Sequence, residues 1–105
     1  MAQFDVLLNP GANRAVRPYV LVVQSARFDD TRRRLVAPLV LLDKVPIPET
    51  EITPHFTVAG QDVALITLEL IAVDIARLGP KVGSLREEAT RIITAIDEVL
   101  TTAYG

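Results

Sequence analysis

Three consecutive arginines, Arg32, Arg33 and Arg34, form the sharpest local charge in this 105-residue chain. A guanidinium fork matches the geometry of phosphate and carboxylate groups, so the run could contact an anion or an RNA backbone. Against that, Asp29 and Asp30 stand just ahead of it and neutralise much of its charge. One arginine could also hold its own loop by bonding backbone carbonyls. A lone three-arginine run in a chain of eleven basic and thirteen acidic residues favours these quieter roles over a nucleic-acid site.

The remaining candidates for chemistry are few. His55 is the single histidine and there is no cysteine, so a metal site or a nucleophile–base pair would need His55 with distant carboxylates. General acid–base sites need a partner that orients the base, which makes a structural or solvent-facing His55 the expectation. Asp97 and Glu98 are adjacent in a helical pattern, so their side chains diverge by about 100° and cannot work as one carboxylate pair. No glycine-rich phosphate loop and no G-x-S-x-G or H-E-x-x-H motif is present. We expect no metal, no cofactor and no enzymatic activity. Phe28, between Arg27 and Asp29 at the mouth of a loop, is either a lid on the core or an exposed anchor for a partner.

The elements that must position these residues follow from periodicity. Gln3–Leu8 reads as a short strand ended by the turn signal Asn9-Pro10-Gly11. Tyr19–Gln24 is nearly continuous in apolar residues, as expected of a central strand buried on both faces. Leu35–Leu42 is a third strand, in which Pro38 predicts a bulge or an edge position. Residues 46–54 carry three of the seven prolines and read as an extended linker. His55–Ala59 and Asp62–Leu68 flank a tight hairpin at Ala59-Gly60-Gln61, and Leu70–Ile75 adds a short strand ended by Leu78-Gly79-Pro80. Ser84-Leu85-Arg86-Glu87 has the form of a capping box for a helix from Leu85 to about Thr102. Its apolar face is Leu85, Ala89, Ile92, Ile93, Ile96, Val99 and Leu100. The sum is a single domain, mainly β with a C-terminal α-helix: an SH3-like barrel or a strongly bent antiparallel sheet.

Half of the residues are hydrophobic and only 5% aromatic, with a mean hydropathy of +0.32. That is high for a small domain and points to apolar surface buried against a second copy, hence a homodimer. A net charge of −2 gives no global attraction to nucleic acid or to anionic lipid. No signal peptide or membrane span is apparent, and with no cysteine the chain suits a reducing compartment, so a cytoplasmic protein is expected.

Val23-Gln24-Ser25, Asp29, Arg33-Arg34 and Val36-x-Pro38-Leu39, in that order and spacing, resemble the amino-terminal half of a CcdB-type toxin, the poison of a plasmid-maintenance toxin–antitoxin pair. Gln3-Phe4-Asp5-Val6, Pro54, Thr67, Leu78-Gly79, Val82-x-x-Leu85 and Ala95-Ile96-Asp97 extend the resemblance over essentially the whole chain. The resemblance implies a homodimer that binds the A subunit of DNA gyrase, traps its cleaved-DNA complex and is extracted by a labile CcdA-like antitoxin. It implies no direct contact with nucleic acid or membrane. Gyrase binding would fall to Phe28, Asp97, Thr101, Tyr104 and Gly105, and antitoxin binding to the loop at Arg32, Arg33 and Arg34. In an ungapped reading Thr101 stands where the best-known member has a stacking tryptophan, and Tyr104-Gly105 supplies an aromatic-Gly pair a few residues later. Alternatives are a ribonuclease toxin of the same barrel architecture, and a degenerate relative that binds antitoxin but is no longer toxic.

Overall fold

The structure, a computed structural model, describes residues 1–28 and 30–101. Seven strands run through the described residues: β1 (Asp5–Leu8), β2 (Tyr19–Val22), β3 (Arg33–Leu41), β4 (His55–Val58), β5 (Gln61–Leu65), β6 (Ile71–Asp74) and β7 (Lys81–Ser84). One helix, α1 (Ala89–Leu100), closes the order. All pairings are antiparallel, in the order β4-β5-β3-β2-β1-β7, with β6 joined to β3 beside β5. The sheet is curled into a half-barrel with the helix following it.

β2 is buried along its whole length because both of its faces are covered. Leu21, paired with Val6 and Ala37, faces the main core with Leu39, Phe56, Val63, Leu65 and Ile92. Val20 and Val22 turn to a smaller cluster with Leu7 and Val36 on the other face, roofed by Val73 and Leu78. The near-continuous apolar run therefore has the cause expected of it. Asp5, buried in β1, keeps its charge compensated by Lys81 at 3.3 Å and by the Ala2 amide at 2.8 Å.

Pro38 lies neither at a bulge nor on an edge. It sits opposite Val20 in the middle of β3, where the second partner of β3 changes: Leu39–Leu41 pair with β5 and Arg33–Val36 with β6. On that side its carbonyl accepts from the Ile66 amide at 3.1 Å. Between β5 and β6 the chain leaves the ladder through a 3-10 turn at Thr67–Glu69. The missing N–H of proline thus falls where no ladder partner is required.

The hairpin is tighter than the sequence implies. Ala59 and Gly60 alone form the turn, with φ of 50° and 77°, and Val58 pairs directly with Gln61. Two consecutive positive φ values describe a turn that suits the right-handed twist of the flanking strands. Gly79 is required for another reason: a Cβ there would lie 2.7 Å from the Leu8 carbonyl oxygen, beside the Leu8 amide bond to Pro80.

The beginning of the helix also departs from expectation. Ser84 is the last residue of β7, and the Leu85 amide donates to the Phe4 carbonyl at 2.9 Å, so the chain is still extended where the capping box was expected. The Ser84 hydroxyl accepts from the Arg86 amide at 3.2 Å, a 3-10 turn covers Arg86–Glu88, and α1 starts at Ala89 without a side-chain cap. Burial of Leu85 draws this segment onto the sheet and takes precedence over the local capping preference. Within α1, Ile92 and Ala95 are buried, whereas Ile93 and Leu100, assigned to the apolar face by spacing, are exposed. Among the described residues no helix is long and apolar enough to cross a membrane.

In the hairpin turn Ala59 is a residue that resists positive φ. Ala59→Asn, which supplies the preferred Asn-Gly pair, should stabilise the fold by about 0.5–1 kcal/mol and raise Tm by roughly 4 °C in calorimetric melting. An unchanged or lower Tm would show that the turn stores no strain.

Candidate functional site

The loop between β2 and β3 is organised by side chains that bond to its backbone. Gln24 spans it, donating through Nε2 to the Phe28 carbonyl at 3.0 Å and accepting through Oε1 from the Leu35 amide at 3.1 Å. Arg34 is the arginine that holds the loop. Its guanidinium is buried, and Nη1 donates to the carbonyls of Thr31 (2.7 Å) and Arg33 (2.9 Å). Strand alternation separates them: Arg34 is buried on the face of β3 that carries Val36, while Arg33 and Leu35, on the other face, are exposed.

Arg32 and Arg33 remain exposed. Arg32 approaches Asp74 at 3.6 Å, a solvent-exposed pair that contributes little to stability. Phe28 ends a 3-10 turn over Ala26–Phe28 and is 57% exposed, with Arg27 6.0 Å from its ring centroid. It is not a lid on the core. Asp29 lies outside the described residues.

Beside this loop a groove of about 650 Å3 opens over the outer face of the sheet. Val20, Val36, Pro38 and Ile71 supply apolar lining, and Arg33 and Arg77 supply positive charge. Arg17, also at the groove, is bound to Glu69 through both of its terminal nitrogens. That pairing raises the Arg17 pKa and lowers that of Glu69.

The end of α1 carries the other candidates. Asp97 and Thr101 are exposed one turn apart, with the Thr101 amide donating to the Asp97 carbonyl at 2.8 Å. Leu100 is 64% exposed beside them, and Ile93, about two turns before Leu100, 48%. Tyr104 and Gly105, with Thr102 and Ala103, lie outside the described residues. Phe28 belongs to the β2–β3 loop rather than to α1, so the residues assigned to gyrase occupy separate elements. Sequence reasoning missed the exposure of Ile93, Leu100 and Leu68, since spacing alone marked the first two as core and Leu68 as strand.

His55 serves the structure: its Nε2 lies 2.7 Å from the Ile47 carbonyl and its amide donates to Glu49 at 2.9 Å, securing the 46–54 segment. Among the described residues no three His, Cys, Asp or Glu side chains are grouped to hold a metal ion. What the surface presents is a loop bonded by Gln24 and Arg34, a groove with arginines at its side and an exposed apolar residue near the helix end.

The family model described as CcdB protein matches residues 3–102 of the chain. No curated protein matches it. The match covers the half-barrel, the Arg34-anchored loop and the whole of α1, and on that extent the chain belongs to the CcdB family, the toxins of toxin–antitoxin pairs.

Proposed function

We propose that this toxin acts without enzymatic chemistry, by binding the A subunit of DNA gyrase through the end of α1. The observation that carries the reading is the exposure of Leu100 between Asp97 and Thr101, on a helix whose packing onto the core rests on Ile92 and Ala95 one to two turns earlier. A large apolar side chain left in water beside two polar groups suits an anchor, since apolar contact supplies affinity and flanking polar groups fix register. Phe28 is a second exposed anchor, and Tyr104 and Gly105 extend the contact. A second reading, a relative that keeps antitoxin binding but not toxicity, is favoured by Thr101 in place of the stacking aromatic residue. A ribonuclease role is less well supported, because Arg34 is committed to its own loop and His55 to the 46–54 segment.

The same reading includes two partners. A second copy would cover Leu68, 69% exposed, which accounts for part of the high apolar content. An acidic antitoxin segment would follow the groove at Arg32 and Arg33, with Arg34 contributing by holding the loop. Binding there is to protein, with no direct nucleic-acid or membrane contact.

Leu100→Asp should leave folding stability within about 0.5 kcal/mol, as an exposed substitution does. It should weaken binding to a gyrase A fragment by roughly 2 kcal/mol, near thirtyfold, in a calorimetric titration. A wild-type protein that binds antitoxin but not the fragment would establish the second reading. In sedimentation equilibrium the wild type should run above 11.5 kDa at micromolar concentration and Leu68→Arg should shift it toward that mass; a wild type already at 11.5 kDa removes the dimer. Charge reversal at Arg32 and Arg33 together should weaken antitoxin binding at least tenfold with Tm retained, and unchanged affinity would remove the groove from the antitoxin site.

A further inference from the structure

Helix α1 is docked by a narrow apolar seam. Ile92 and Ala95 are fully buried, and Ala89 and Ile96 pack against the core in part. A seam of this width resists lifting of the helix better than rolling about its axis. Arg91, on the flank next to Ile92, supplies what the seam lacks. Its guanidinium lies 4.6 Å from the centroid of Phe56, a core ring on β4. Nη1 donates to Glu88 at 3.0 Å, and Nη2 donates to Glu49 at 2.7 Å and to the His55 carbonyl at 2.9 Å.

One side chain thus joins the helix to β4 and to the proline-rich 46–54 segment. That segment is itself fixed at two further points, by His55 at the Ile47 carbonyl and by the buried Thr67 hydroxyl donating to the Ile52 carbonyl. Each exposed ion pair alone is worth about 0–1 kcal/mol. A planar guanidinium stacked on a ring and bonded to three acceptors is different, because all of its contacts are met in only one orientation. The His55 amide and then the Arg91 charge hold the Glu49 carboxyl below its ordinary pKa, so the acceptor is charged at neutral pH.

We propose that Arg91 is a positioning residue: through Phe56, Glu49 and the His55 carbonyl it fixes the roll of α1, and with it the direction in which Asp97, Leu100 and Thr101 face a partner. The partner contact rests on the reading given above; the clamp itself does not. Leu100 lies nine residues, about 14 Å, beyond Arg91 along the axis. A roll of about 20° moves a side-chain tip at the helix surface by about 2 Å, enough to misplace an anchor from its pocket.

The test compares full-length wild type, Arg91→Ala and Glu49→Gln, the last removing the charge while keeping the shape of the clamp's far side. A twelve-residue helix is marginal without its tertiary contacts, so loosening should appear as faster amide hydrogen exchange. Exchange at the Ala95–Leu100 amides should quicken at least tenfold in Arg91→Ala and severalfold in Glu49→Gln, with β3 amides keeping wild-type rates. Affinity for the gyrase A fragment should fall about tenfold in Arg91→Ala. Unchanged α1 exchange in both variants, or equal quickening in α1 and β3, overturns the clamp. Faster α1 exchange with undiminished affinity overturns its role in presenting the helix end. A wild type that does not bind the fragment removes the functional reading, and the exchange comparison then decides the clamp by itself.

Discussion

β3 is the strand on which the other elements depend. Along one edge it pairs continuously with β2, and along the other it pairs first with β6 and then with β5. Antiparallel ladders need a donor at alternating positions, and Pro38 removes one at the place where the second partner changes. The chain uses this gap for the 3-10 turn at Thr67–Glu69, which packs on α1 and carries Leu68 to the surface. The proline that breaks a ladder rule therefore marks where the sheet divides and where the helix finds a support outside it.

Because β3 and β2 are covered on both faces, the protein has two apolar layers rather than one. The inner layer includes the buried part of α1. The outer layer borders the groove at Arg33 and Arg77. The proposed gyrase contact and the proposed antitoxin groove therefore stand on opposite sides of the sheet. A rigid, doubly buried platform is a reasonable basis for both, since binding groups are best held on elements whose own packing is fixed.

Arginine does three separate jobs here, each set by burial. Arg34, buried, bonds to backbone carbonyls of its loop. Arg91, half-exposed over Phe56, joins three elements. Arg32 and Arg33 stand in solvent, Arg32 beside Asp74. A run written as three equal charges separates into one structural and two surface groups, because successive residues of a strand point to opposite faces.

The sequence by itself determined the strand-rich order, the central position of β2, the hairpin, the terminal helix and the structural role of His55. These rest on local periodicity or on the absence of a chemical partner, both of which are written in the chain. β7 was not legible: Lys81–Ser84 carries no buried alternation, and it is a strand only because β1 offers it an open edge. The start of the helix was misplaced for the same kind of reason, since burial of Leu85 and its bond to Phe4 overrode the serine cap. Which arginine is buried, which apolar helix residues stay in water, and how Arg91 meets Glu49 across forty-two positions were decided by the tertiary structure alone. Such outcomes depend on what lies opposite a residue in space, and spacing along the chain carries no record of that.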